Sequence, residues 1–96
     1  MKFDSIPEAF QTKLRVAIMA ALYHGAKDFN TLKKITLSTD GNLSVQLSRL
    51  EEQGYLMVCK EILNKKTHTI YESTKLGKNQ FLEYVEMLSM AVNSET

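Results

Sequence analysis

One cysteine, one proline, four glycines and no tryptophan are spread over 96 residues. The lone cysteine, Cys59, excludes an intramolecular disulfide framework and a thiolate metal cluster built within one chain. So little proline and glycine excludes collagen-like and low-complexity classes, and no linker is long enough to divide the chain. No apolar run approaches the roughly 20 residues of a membrane-spanning helix. The opening MKFDSIPEAFQTK is too polar for a signal peptide, so the expectation is a cytoplasmic chain with no membrane partner. An excess of charge of one sign is missing too: 12 basic against 11 acidic residues leave a net +1. That balance points neither toward nucleic acid nor away from it, because the distribution of charge matters more than its sum.

Residues suited to catalysis are equally sparse. His24 and His68 fall in different segments, with no acidic or cysteine partner at metal-ligand spacing. There is no glycine-rich phosphate loop and no nucleophile elbow. Glu51 and Glu52 are adjacent on a helix, where neighbours point apart. Cys59 reads as a packing residue of a strand, with no basic neighbour beyond Lys60 to activate a thiolate. The reading is a chain that is not an enzyme and uses no cofactor and no metal.

What is present suits one core. Hydrophobic residues make up 44% and charged residues 24%, at a length typical of one domain, so residues 1–96 read as a single unit. Its organising stretch is Ser38 to Leu56, STDGNLSVQLSRLEEQGYL. Leu43, Leu47 and Leu50 recur at i, i+4 and i+7 and share one helix face. Thr39 or Asp40 caps the start and Gly54 ends the helix. Opposite the leucines lie Gly41, Val45, Ser48, Arg49 and Glu52, flanked by Asn42 and Ser44. A helix of this kind docks by one edge and presents the other, the shape needed to enter a DNA major groove. Asn42 and Gln46 carry the groups for bidentate contact with adenine, Arg49 for guanine or phosphate, and Val45 for a thymine methyl. Ser38, Thr39 and Ser44 suit phosphate contacts near a helix N-terminus, and Ser48 completes the presented face.

The rest of the chain frames this stretch. Ser5 to Tyr23 reads as one helix, with Ser5 and Glu8 in a capping-box pattern and Pro7 in the first turn. Ile6, Phe10, Leu14, Ala17, Ile18, Ala21 and Leu22 give it a broad apolar face. Ala26 to Phe29 is a short extended piece. Asn30 is then expected to cap a helix from Thr31 to Leu37, with Leu32, Ile35 and Thr36 inward. Two helices joined by so short a turn fit a helix-turn-helix. Tyr55 to Leu63 and His68 to Ser73 are rich in β-formers around a polar turn at residues 64–67, which predicts a β-hairpin with Lys65 and Lys66 at its tip. Lys60 and His68 are further candidates there, and Lys33 and Lys34 on the second helix are weaker ones. Thr74 caps a last helix from Lys75 to about Val92, with Phe81, Val85, Leu88 and Val92 in one apolar stripe and Tyr84, Met87 and Ala91 in a second. The expected class is mainly α with a small β-hairpin, in the order helix, short strand, helix, helix, hairpin, helix.

The run TDGNLSVQLSRLEEQGYL at 39–56, the hairpin, and TKLGKNQFLEYVEML at 74–88 resemble the small winged helix-turn-helix transcriptional regulators related to the MarR and ArsR families. The similarity covers roughly residues 5 to 92. It implies a dimer that binds double-stranded DNA at an inverted-repeat operator, with the helix around 40–53 in the major groove and the 64–67 wing on the backbone. Helices 5–23 and 75–92 would form the dimer interface through Phe10, Leu14, Tyr84, Met87, Leu88 and Ala91. In one respect the chain departs from that family. Relatives often line the groove-facing side of the recognition helix with basic residues, whereas here Val45, Gln46 and Ser48 leave Arg49 as the only cation. Two other readings fit the residues: a winged-helix protein-interaction module whose polar helix face is merely solvated, and a regulator with an effector site near the terminal helices.

Overall fold

The computed structural model describes residues 6–94. After a 3-10 turn at Glu8–Phe10 come α1 (Lys13–Tyr23), β1 (Lys27–Asp28), α2 (Phe29–Thr36), α3 (Asp40–Glu52), β2 (Leu56–Leu63), β3 (Lys66–Ser73) and α4 (Lys75–Val92). The three strands form one antiparallel sheet in the order β1-β3-β2. The expected order of elements is therefore present, and the short extended piece at residues 27–28 closes the sheet.

The first helix differs from expectation. It is not continuous from Ser5, which lies outside the described residues. Thr12 is extended and caps α1 by accepting from the Arg15 backbone N–H. The interruption turns Ala9 and Phe10 into the core, and both are buried. Carbonyls freed by the broken helix still need donors. Arg15 supplies them: its Nε donates to the Ala9 carbonyl at 3.1 Å and its Nη2 to the Glu8 carbonyl at 2.9 Å.

One hydrophobic cluster holds the elements together. Ile18, Met19 and Leu22 of α1 meet Leu32 of α2, Leu43, Leu47 and Leu50 of α3, Leu56 of β2 and Phe81 of α4. Phe10 sits among Tyr55, Phe81 and Tyr84, with ring centroids 5.6, 6.0 and 5.2 Å away. The three leucines of α3 are buried as their spacing requires. Ile35, expected inward, is half exposed at 50%. Leu37 leaves the helix: it is the C-cap of α2, with φ of 54°.

Asp28, not Asn30, caps α2. Its Oδ1 accepts from the Thr31 backbone N–H at 2.8 Å. Thr31, through its side chain and then its backbone, holds the Asp28 carboxyl below the ordinary carboxylate range. The stabilisation this represents is complete above the unfolded pKa, near pH 4, and is lost as pH falls through the lower folded value. Asp28→Ala should cost about 1 kcal/mol at neutral pH and should lose less further stability than the wild type below about pH 4. Urea unfolding at the two pH values checks both parts.

The corner between α3 and α4 is closely built. Gly54 ends α3 with φ of 77°. The Tyr55 N–H returns to the Leu50 carbonyl at 3.0 Å. Thr74 caps α4, accepting from the Gly77 N–H at 3.0 Å while its hydroxyl donates to the Gly54 carbonyl at 2.6 Å. Buried Ser73 donates to the Leu22 carbonyl at 3.2 Å. These bonds fix where α3 stands relative to the rest.

Candidate nucleic-acid interface

With Leu43, Leu47 and Leu50 buried, the opposite side of α3 is left to solvent. Asn42, Ser44, Val45, Ser48 and Arg49 are all exposed. Ser44, Val45, Ser48 and Arg49 line one open concavity together with Glu52. Among the described residues Arg49 has no ion pair, so its guanidinium is free for an anion or a base edge.

The start of the helix is more occupied than its sequence suggested. Thr39 is the cap, accepting from the Asn42 N–H at 3.2 Å. Its hydroxyl hydrogen remains available to donate. Ser38 shares a 2.8 Å hydrogen bond with Thr36. Asp40 stands in the first turn and pairs with Lys33 at 2.7 Å. That carboxylate already satisfies the positive end of the helix dipole, and the pair takes up Lys33, whereas Lys34 has no ion pair among the described residues.

Gln46 differs most from expectation. It is only half exposed. Its Oε1 accepts from Arg15 Nη1 at 2.8 Å, and its Nε2 donates to Asn42 Oδ1 at 3.4 Å. Bidentate contact with adenine needs the oxygen and the nitrogen side by side at the base, whereas here the oxygen is turned inward.

Arg15 is the neighbour of this face that the sequence did not single out. It is 4% exposed and also pairs with the Glu8 carboxylate at 3.4 Å. Glu8 in turn accepts from Gln53 at the far end of α3. One arginine thus ties the N-terminal segment to the presented helix. The available signal was its place three and seven residues before Ile18 and Leu22, a cation on an apolar face.

At the hairpin tip the turn is two residues, Asn64 and Lys65, both at positive φ (52° and 65°). Lys66 is already in β3, opposite Leu63. Both lysines are exposed. Alternation along the paired strands puts Lys66, His68 and Glu61 on one face of the hairpin and Lys60 on the other. Lys60 and His68 therefore cannot serve one surface together. Beyond Leu56, β2 is exposed along its whole length, whereas β3 is half-buried from His68 to Tyr71 and Tyr71 packs on the core, so it is the tip that stands clear.

The six residues assigned to a dimer interface divide. Phe10 is buried inside its own chain, 3% exposed, and is not available to a second copy. Leu14 is half-buried against the core and lines a hollow with Thr36, Leu37 and Ser38 at the α2–α3 turn. Tyr84 and Met87 are half-buried beside Ile6 and Pro7. Ala91 is half-buried and Leu88 exposed. The exposed large apolar residues of α4 are Leu76 in its first turn and Leu82, Val85, Leu88, Met90 and Val92 further along.

Among the described residues no group of three His, Cys, Asp or Glu side chains converges on a metal site, and no helix is long and apolar enough to cross a membrane. The model of the family described as winged helix DNA-binding domain matches residues 14–92. The uncharacterized protein MJ0432 of Methanocaldococcus jannaschii is 37% identical over 89 residues, which is 90% of this chain and 96% of that one. The structure of a transcriptional regulator homologue from Pyrococcus horikoshii superposes with a TM-score of 0.77 at 25% identity, covering 83% of this chain and 80% of that one. A MarR-family regulator from Enterococcus faecalis shares the fold, with a TM-score of 0.74 at 18% identity over 82% of this chain and 72% of that one.

Proposed function

The chain belongs to the winged helix DNA-binding domain family, a family of transcriptional regulators and not of enzymes, and from that premise we propose that it is a homodimeric, cytoplasmic regulator reading an inverted-repeat operator. The observation that carries this is the division of α3. Its leucines are all buried on one side, while Asn42, Ser44, Val45, Ser48 and Arg49 form an uninterrupted exposed surface on the other. In the proposed complex that surface enters the major groove. Arg49 supplies the charge, Val45 the apolar contact, and Thr39 and Ser44 reach the phosphates beside the helix start. The hairpin tip carries Lys65 and Lys66 to the DNA backbone. With Arg49 the only cation on the presented face, the wing supplies most of the phosphate neutralisation.

The apolar outer face of α4 would meet the same face of a second copy. Val85, Leu88 and Val92 recur at i, i+3 and i+7, and a stripe of that kind left in water is unusual for a small domain. Two-fold symmetry makes the patch self-complementary. It also sets two copies of α3 against two half-sites.

Backbone contacts give affinity without sequence information. Lys65→Ala with Lys66→Ala should therefore weaken binding to selected and random DNA alike. The log–log salt slope should fall by about 0.9 for each lost phosphate contact, roughly 1.8 per protomer. Fluorescence anisotropy across a salt series reads both effects. An unchanged slope would show that the wing does not touch DNA. Binding to no DNA by the wild type would favour the protein-interaction reading.

A further inference from the structure

A glutamine or asparagine amide can present either its oxygen or its nitrogen, and which one it shows decides the base edge it reads. In α3 that choice is forced from inside the protein. Arginine has donors only, so the atom of Gln46 facing Arg15 Nη1 at 2.8 Å is the carbonyl oxygen. With Oε1 held inward, Nε2 faces Asn42 at 3.4 Å, and the atom that meets it is an acceptor, Asn42 Oδ1. Asn42 then turns Nδ2 to the other side, where no hydrogen bond of the described residues uses it.

Arg15 cannot yield this orientation easily. Its Nε and Nη2 are fixed by the Ala9 and Glu8 carbonyls at 3.1 and 2.9 Å, and the side chain is buried. Releasing Gln46 would leave a buried guanidinium N–H without its acceptor, which costs more than a surface hydrogen bond returns.

We propose that Arg15 is a positioning residue for sequence specificity: through Gln46 it sets Asn42 to offer N–H donors at the exposed start of α3, selecting guanine over adenine. The inference rests on the DNA-binding reading above. Guanine shows two adjacent acceptors, N7 and O6, in the major groove, and both match the amino group of Asn42 and the spare N–H of Gln46. Adenine shows N7 beside a donor, its N6 amino group, and an inward-turned Gln46 oxygen cannot accept from it.

The test is selection from a random DNA pool, comparing base frequencies at the position that Asn42→Ala randomises. The wild type should enrich guanine there. In Gln46→Glu the introduced carboxylate still accepts from Arg15 but can no longer donate to Asn42. It accepts from Asn42 Nδ2 instead, and the Asn42 oxygen turns outward. The ratio of guanine to adenine or cytosine should then fall about tenfold, within the range one bidentate contact discriminates. Arg15→Met should blur the preference, and Arg15→Lys, which keeps a donor, should restore it. Gln46 is half exposed, so Gln46→Glu keeps the test valid if Arg15→Met does not fold. A wild-type motif with adenine at that position, or one that Gln46→Glu leaves unchanged, would overturn the proposal while leaving the DNA-binding reading intact. No enriched sequence from any of these proteins would overturn both.

Discussion

Gly77→Ala should destabilise the protein by about 3 kcal/mol, the upper end of what overpacking costs. A Cβ at this position would lie 2.1 Å from the Tyr55 carbonyl oxygen, 2.9 Å from its carbon and 3.0 Å from the Met19 methyl. The first two atoms are backbone, anchored by the Thr74 N–H to the Tyr55 carbonyl at 3.1 Å and by the Tyr55 N–H to Leu50. They cannot swing aside as a side-chain tip does. The start of α4 must back away instead, and Phe81, one turn later, loses its contacts with Phe10 and Tyr84. Alanine's better helix propensity returns only about 1 kcal/mol. Urea unfolding of the two proteins measures the difference. A midpoint equal to the wild type's, with an unchanged slope, would mean that the α3–α4 corner is much more yielding than these distances require.

Val85→Glu with Leu88→Glu should convert the proposed dimer to a monomer and weaken binding to a two-half-site DNA by about 100-fold or more, because the second half-site is then no longer bound at high effective concentration. These two residues are exposed in the single chain, so carboxylates there cost the monomer little, whereas two facing copies would bury four like charges. Tyr84 would be a poorer choice. It packs on Phe10 at 5.2 Å and Phe81 at 6.5 Å, and a charge there damages the core as well. Sedimentation at micromolar concentration, read beside the unfolding midpoint, separates the two causes. A dimer that survives the double substitution would place the interface elsewhere.

The elements set by local pattern were legible in the residues. Leu43, Leu47 and Leu50 gave α3 its buried side, Thr74 capped as its position implied, Thr39 proved the cap of the two candidates Thr39 and Asp40, and the change of period after Gly54 marked the hairpin. What escaped was set by contacts distant in sequence. Ser5 and Glu8 have the spacing of a capping box, yet Glu8 is drawn to Arg15 and Gln53, and the helix breaks so that Phe10 can reach Tyr55, Phe81 and Tyr84. Asn30 and Asp28 are both good caps, and the pairing of Asp28 with Ile70 in the sheet decides between them. The outer face of α3 was legible as a surface but not in its polarity. Nothing near Gln46 in sequence announces that an arginine 31 positions away holds its oxygen. The dimer assignment failed at Phe10 for a related reason: a broad apolar stripe does not say which part of it the chain's own core consumes.

The central claim is that two copies of α3 read two related half-sites. Selection from a random-sequence DNA pool, with enrichment read by sequencing, tests it most directly. The expected result is a reproducible inverted repeat whose half-site centres lie about one helical turn apart, roughly 10 base pairs. A pool that shows no enriched sequence, or only an unpaired half-site with no fixed spacing to a second, would contradict it.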